Sequence, residues 1–361
     1  MVRRLTWYVR APHISLNLRP RVNFRLPLLR LPIALRVGHV ESVVRGLLFA
    51  AACCVAPPHA SADDANEIIR FESLTLPGGL FAPFAPPLES ASRVTVLGFL
   101  RLPPGDGKVP AVVLMHGCGG IGRSELFWAR ELRDRGMATF LVNSFSARGI
   151  SQICTGRFSI NMGSVLADAF GALRQLAQVS RIDIERVAIM GFSFGGRTAL
   201  WTAYPSLQAR YGEHAPRFAA HLGMYPGACY VELADEARIG EVPIRIFHGT
   251  ADDWTPVEAC REYVARLHRA GKDAALFEYA NAGHSFDNDT LPSHLALPDA
   301  LNTRNCVFVE RAGGIVDAAG RLAGVDSPCY ARGASIGYSA DARRQAVADV
   351  HAFLRARFGS P

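Results

Sequence analysis

The chain has 361 residues, 49% of them hydrophobic and 20% charged, with a formal net charge of +7. These proportions exclude a disordered, collagen-like or polytopic membrane protein, and the length suits one large α/β domain or two small ones. The positive charge sits at one end: residues 1–62 hold nine arginines and a single acid, Glu41, whereas the other 299 residues hold 30 basic and 31 acidic side chains. The body thus has no basic excess to neutralise phosphates, and no nucleic-acid partner is expected.

Residues 46–56, GLLFAAACCVA, form an apolar run of 11 with Arg45 just before it. A bilayer-spanning helix needs about 20 apolar residues, so the run is too short to cross. A basic flank, a short apolar stretch and a small-residue site at Ala60-Ser61-Ala62 read as a secretory signal cleaved before Asp63. Pro57-Pro58 argues against the alternative, a buried helix running on from this stretch. A lipoprotein signal ending at Cys53 or Cys54 fits less well, because small alanines precede those cysteines. Two readings of residues 1–40 stay open: a long basic n-region, or initiation nearer Val40, Val43 or Val44. The expected mature protein, 63–361, is a single domain, secreted or periplasmic, with no membrane span. The sequence does not set its oligomeric state.

From residue 92 onward, short apolar runs alternate with amphipathic stretches. Strands are expected at Val94–Leu102, Pro110–His116, Ala138–Val142, Val187–Gly191, Phe218–Tyr225, Val242–His248 and Ala274–Tyr279. Several are continuous apolar runs, as a strand buried on both faces requires. Helices are expected at Ser124–Arg135, Val165–Ala177, Arg197–Tyr204, Val257–Arg269 and Ala340–Phe358. This alternation predicts a mostly parallel sheet covered on both faces. Residues 288–339 break the pattern and read as a turn-rich insertion. Within it, Val307–Glu310 followed by Gly313-Gly314 suggests a small hairpin.

Gly191-Phe192-Ser193-Phe194-Gly195-Gly196 lies between an apolar strand and a helix. A serine there makes a sharp strand-to-helix turn that exposes its hydroxyl above the sheet. Such a serine needs a base, and the base needs an orienting acid, in the chain order Ser, Asp, His. His284 follows the last strand of the series, and Asp252 follows the VPIRIFH strand. Both loops leave the carboxyl ends of parallel strands, the edge where Ser193 also sits. Asp253 is the rival for the acid. His116-Gly117-Cys118-Gly119-Gly120 follows an earlier strand and matches the loop that supplies an oxyanion donor, so the expected hole is the backbone N–H of Phe194 with that of Cys118. His116 reads as structural, because it precedes and orients that loop. Trp254, Phe145 and Phe286 lie near the site; Trp254 and Phe145 are candidates to line a substrate pocket, and Phe286 reads as core.

Six cysteines follow the expected cleavage site: 118, 154, 229, 260, 306 and 329. An even number in an exported chain points to disulfides, with 15 connectivities open. In a cytoplasmic protein, buried free thiols would be the better reading. No C-x-x-C occurs, which argues against a zinc knuckle.

Together HGCGG at 116–120, Asn143-Ser144-Phe145 with Ala147-Arg148-Gly149, GFSFGG at 191–196, Ala251–Pro256 with Cys260, and Gly283-His284 with Phe286-Asp287 resemble the α/β-hydrolase fold and, within it, the dienelactone hydrolase-like family. The resemblance covers about residues 92–287 and the terminal helix. It implies Ser193 as nucleophile, Asp252 as acid and His284 as base, with no metal and no dissociable cofactor. It implies Arg148 where the family places an arginine for a substrate carboxylate. It also implies the pairs Cys118–Cys154 and Cys229–Cys260, leaving Cys306 with Cys329. Members that open dienelactone use a cysteine nucleophile and a glutamate near the oxyanion loop. This chain has Ser193, and HGCGG contains no glutamate. The expected activity is therefore hydrolysis of a small-molecule carboxylic ester, with lactones as a variant. Alternatives are a serine peptidase or acyltransferase on the same scaffold, or a non-catalytic binding protein.

Overall fold

A computed structural model describes residues 67–79, 81, 87–156, 159–311, 314–324 and 327–359. The basic leader, its apolar run and the expected cleavage site lie outside the described residues. The described residues all fall within one unit, His59–Pro361.

Eight strands form the main sheet: β1 (Glu67–Thr75), β2 (Ser92–Arg101), β3 (Val109–Met115), β4 (Ala138–Asn143), β5 (Ile182–Phe192), β6 (Ala220–Met224), β8 (Ile244–Gly249) and β9 (Ala274–Tyr279). Their spatial order is β1-β2-β4-β3-β5-β6-β8-β9. β2 runs antiparallel to both neighbours, and the other pairs are parallel. This is the mostly parallel sheet that the sequence pattern predicts, with the α/β-hydrolase architecture that the family resemblance implies. The helices between strands are α1 (Arg123–Arg133), α2 (Met162–Leu176), α3 (Phe194–Trp201), α4 (Pro205–Tyr211) and α5 (Val257–Arg269), with α6 (Ala340–Phe358) at the end.

Alternation along each strand sorts the core into two layers. Ala111, Val113 and Met115 of β3, with Val187 and Ile189 of β5, pack towards α2, α3, α4 and α5. Val112 and Leu114, with Ala188 and Met190, face the opposite way, towards α1 and α6. Because both faces are covered, β3 reads VPAVVLM with no polar alternation. α1 and α6 each bury one stripe only, and α6 buries Ala342, Ala346, Val350, Leu354 and Phe358. By contrast, every residue of α3, the helix that follows Ser193, is buried.

Three features depart from the sequence reading. β1 is unforeseen: it is an antiparallel strand paired, among the described residues, only with β2, and half-exposed, so its period is weak. α3 begins at Phe194 rather than Arg197, because the sharp turn at Ser193 feeds straight into the helix despite two poor helix formers, Gly195 and Gly196. Residues 288–339 are not merely turns. β10 (Leu295–Asn302) and β13 (Ala331–Ile336) form an antiparallel ribbon. β11 (Phe308–Arg311) and β12 (Gly314–Asp317) form the expected hairpin, whose first strand pairs in parallel with β7 (Val231–Glu232).

Candidate active site

Ser193 follows β5 and caps α3 with φ 52° and ψ −108°. A non-glycine residue in that region is strained and persists only where its surroundings hold it. Here Ser193 N–H donates to Met224 O at 2.9 Å, and its carbonyl accepts from Arg197 N and Gly227 N. The flanking glycines allow the turn to close. A Cβ at Gly191 would lie 2.0 Å from Gly195 O, and one at Gly195 would lie 2.0 Å from Met115 O.

His284 leaves the loop after β9, and its Nε2 lies 2.9 Å from Ser193 Oγ. Its Nδ1 lies 2.7 Å from Asp252 Oδ2, in the loop after β8. Both His284 and Asp252 are buried. Burial opposes ionisation of Asp252, yet the neighbouring His284 ring, with His248 and the Thr255 amide, holds its pKa below the usual carboxylate range. An ionised carboxylate can only accept, so Nδ1 carries the imidazole proton and bare Nε2 faces the serine hydroxyl. Asp252 Oδ1 accepts from the N–H groups of Trp254 and Thr255, each at 2.9 Å, and Oδ2 accepts from Thr255 Oγ1 at 3.0 Å. The rival Asp253 points elsewhere and accepts from Ser335 N and Oγ on β13.

The loop after β3 carries Cys118 and is held from three directions. A disulfide joins Cys118 to Cys154. Ile153 N–H donates to Cys118 O at 2.9 Å. The Glu125 carboxylate accepts from Gly117 N at 3.0 Å and Gly122 N at 2.8 Å. Burial pushes the Glu125 pKa up, with the glycine amides pulling against it. Phe194 supplies the first amide of α3, and such an amide has no intrahelical acceptor. His116 is buried behind this loop. Its Nε2 accepts from Ser144 N, which leaves Nδ1–H to donate to Gly117 O at 2.8 Å. Burial lowers its pKa, so a neutral, structural ring is favoured.

The remaining cysteines pair as Cys229–Cys260 and Cys306–Cys329, the pairing that the family resemblance implies. Two expectations need correction. Arg148 does not face a substrate site. Its guanidinium is buried and bonded to both oxygens of Asp168, to Thr75 Oγ1, and to the carbonyls of Leu74 and Ser144. An ion pair with a helix residue 20 positions away has consumed its donors. Phe145 does not line a pocket either. It is buried with its ring 4.4 Å from His116 and 6.1 Å from Phe194. Trp254 does border the site, 5.0 Å from the His284 ring, with its Nε1–H bonded to Leu301 O. Phe286 is core, as expected.

Two cavities open beside Ser193. The larger, about 590 Å³, is lined by His284, Tyr225 and Trp254, and by Leu297, Pro298 and Ile336 of the ribbon. The smaller, about 80 Å³, is lined by Cys118, Phe194, Arg197, Trp254, Leu301 and Thr303. Sequence reasoning gave no role to Glu125, nor to Thr255 and Asp287 within the motifs that contain them. Asp287 accepts from Ser124 Oγ, Trp128 Nε1 and Tyr225 OH, and so ties α1 and the end of β6 to the His284 loop. Buried polar residues of this kind leave no periodic trace in a chain, because their partners are distant in sequence.

A profile of the dienelactone hydrolase family matches residues 96–357. A Bradyrhizobium protein, named "Probable 2-oxo-3-(5-oxofuran-2-ylidene)propanoate lactonase", is 25% identical over 204 residues, covering 53% of this chain and 78% of its own. The esterase FrsA of Salmonella typhi is 30% identical over 201 residues, covering 52% of this chain and 43% of its own. The fold is also that of a dienelactone hydrolase-like promiscuous phosphotriesterase from metagenomic libraries, with TM-score 0.50, 18% identity, and coverage of 81% of this chain and 99% of that one. With the profile spanning nearly all of the sheet and α6, the chain belongs to the dienelactone hydrolase family and is a carboxylic-ester hydrolase of the α/β-hydrolase fold.

Proposed function

We propose that this protein cleaves small-molecule carboxylic esters by acyl transfer to Ser193, with His284 as base and Asp252 as its orienting acid. The observation that carries the reading is the unbroken relay from Ser193 Oγ to His284 Nε2 at 2.9 Å and from Nδ1 to Asp252 at 2.7 Å. His284 takes the serine proton as Oγ attacks the carbonyl carbon. The carbonyl oxygen, now negative, rests on the N–H groups of Phe194 and Cys118. His284 then gives its proton to the leaving alkoxide, and the ester C–O bond breaks. Water, deprotonated by the same ring, attacks the acyl-serine and releases the acid. Asp252 keeps the ring in the useful tautomer and stabilises it once charged.

The experiment is a panel of ester and peptide substrates against wild type and Ser193→Ala. Ester cleavage with a loss of at least about 10³-fold in kcat/KM for the variant is the expected result. Labelling of Ser193 by a fluorophosphonate probe should accompany it. Peptide cleavage without ester cleavage, or an active Ser193→Ala, would refute the reading. A lactone is an ester closed on itself, and the same cycle would open it to a hydroxy acid. The Bradyrhizobium relative's name favours including lactones in the panel.

Three disulfides in the domain are compatible with an oxidising compartment. We propose export by the leader, with 63–361 as the mature single domain and 288–339 as an insertion in it. N-terminal sequencing of protein recovered from the periplasm or medium should begin at Asp63. Recovery only from the cytoplasm with reduced cysteines would reject export.

A further inference from the structure

The two cavities at Ser193 differ in one chemical respect: His284 lines the larger and not the smaller. In acyl transfer the imidazole hands its proton to the leaving oxygen, so the leaving alcohol lies on the His284 side. That side is the 590 Å³ cavity, a volume typical of sites that enclose most of a small molecule. The acyl group is left the side of Phe194 and Cys118, where the cavity measures only about 80 Å³.

One wall of the larger cavity comes from the β10–β13 ribbon, through Leu297, Pro298, Ala300 and Ile336. The ribbon lies within residues 288–339, outside the stretches that carry the family resemblance. It is seated directly on the catalytic loops. His284 and Ile336 form a parallel bridge, and Gly337 N–H donates to His284 O at 3.0 Å. Trp254 Nε1–H donates to Leu301 O at 2.8 Å, and Asp253 accepts from Ser335 N–H at 2.7 Å. Leu301 N–H donates to Cys154 O at 3.0 Å. Bonds to three separate loops make the ribbon a fixed wall of the site.

The polar groups along this cavity are largely spent on the protein itself. Arg123 pairs with Asp289, and Glu125 holds the amides of Gly117 and Gly122. Ser124 and Tyr225 both donate to Asp287. Asp299 also lines the cavity and is exposed, which disfavours an anionic guest. What remains to contact a ligand is apolar and aromatic: the ribbon's aliphatic side chains opposite the rings of Tyr225 and Trp254, which lie 4.7 and 5.0 Å from the His284 ring. Such a surface holds a neutral ring by burial and by ring–ring contact.

Resting on the ester-hydrolase reading, we propose that the ribbon makes the 590 Å³ cavity an alcohol subsite, and that the preferred substrates are short-chain acyl esters of bulky, neutral aromatic alcohols. Leu297, Pro298 and Ile336 are its specificity-determining residues. The bond from the acyl carbon to the alcohol oxygen breaks, the alcohol leaves with the proton that His284 took from Ser193, and water then releases the short acid.

The test uses two isomers, phenethyl acetate and ethyl phenylacetate, which carry the same ring on opposite sides of the ester, with ethyl acetate as reference. Wild type should favour phenethyl acetate over ethyl phenylacetate in kcat/KM by on the order of 10- to 100-fold, the worth of burying one ring. Leu297 faces the small Ala334 across the ribbon, so Leu297→Trp should fill the cavity and cut that preference by about 10-fold or more. Should the variant not fold, wild type decides alone: free phenethyl alcohol should inhibit competitively at concentrations where ethanol does not. Equal rates on the two isomers, or a preference for ethyl phenylacetate, overturn the alcohol subsite and leave the ester-hydrolase reading standing. An unchanged preference in folded Leu297→Trp overturns the ribbon's part in it. Cleavage of ethyl acetate alone overturns this inference by itself, and cleavage of none of the three esters overturns both readings.

Discussion

Asp252 and Asp253 are adjacent, and chain position alone does not separate them. Four donors converge on Asp252: His284, the amide of Trp254, and the amide and hydroxyl of Thr255. Asp253 instead holds Ser335 of β13. The two carboxylates therefore carry different expected losses. Asp252→Asn should lower kcat by about 10³- to 10⁴-fold, because an amide reverses the imidazole tautomer. Asp253→Asn should stay within a few-fold. Steady-state rates on one ester measure both, and equal losses would place the acid wrongly. The same scale explains why Gly191 and Gly195 cannot be alanine: a Cβ at either would lie 2.0 Å from a backbone oxygen.

Between elements, the disulfides have unequal duties. Cys118–Cys154 anchors the loop that carries the proposed oxyanion donor, the Cys118 amide, whereas Cys306–Cys329 closes the insertion. They are separated by 36 and 23 residues in sequence, so chain entropy gives them similar stabilities, about 3–4 kcal/mol each. Their catalytic effects should differ. Cys118→Ala with Cys154→Ala should lower kcat about 10-fold or more, since a loosened donor stabilises the oxyanion less. Cys306→Ala with Cys329→Ala should cost comparable stability and leave kcat within a few-fold. Thermal midpoints and kcat measured on both pairs check this. The β10–β13 ribbon is bound to the same machinery: Gly337 N–H donates to His284 O, and Leu301 N–H donates to Cys154 O.

For the molecule as a whole, acid sensitivity follows from buried histidines. His221 is buried between Thr202 Oγ1 and Ala199 O, and burial pushes its pKa down from 6.5 to about 4. As pH falls below 6.5, the unfolded chain takes up this proton first. The stability it contributes is thus complete above about pH 6.5 and is lost as pH falls toward 4, by up to roughly 3 kcal/mol. Burial lowers the pKa of His116 and His248 in the same direction. Urea midpoints between pH 7 and 4.5 should fall for wild type and fall less steeply for His221→Asn. Parallel curves for the two proteins would rule out this assignment. No helix among the described residues is long and apolar enough to cross a membrane.

The parallel sheet, its two covering layers and the Ser193–Asp252–His284 order were legible in the sequence, because each depends on local signals. Continuous apolar runs mark doubly buried strands, and a glycine-flanked serine marks the strand-to-helix turn. Loops leaving one edge of a parallel sheet are brought together by topology, so three distant residues could be matched without coordinates. Only the tertiary structure decided which charges are spent and which are available. The Arg148 guanidinium, which the family resemblance assigns to a substrate carboxylate, meets Asp168 instead. The same holds for Glu125, which reaches Gly117 in the loop after β3 from the first turn of α1. Secondary structure follows from the period of neighbouring residues, whereas the partner of a buried charge is set by packing across the whole fold.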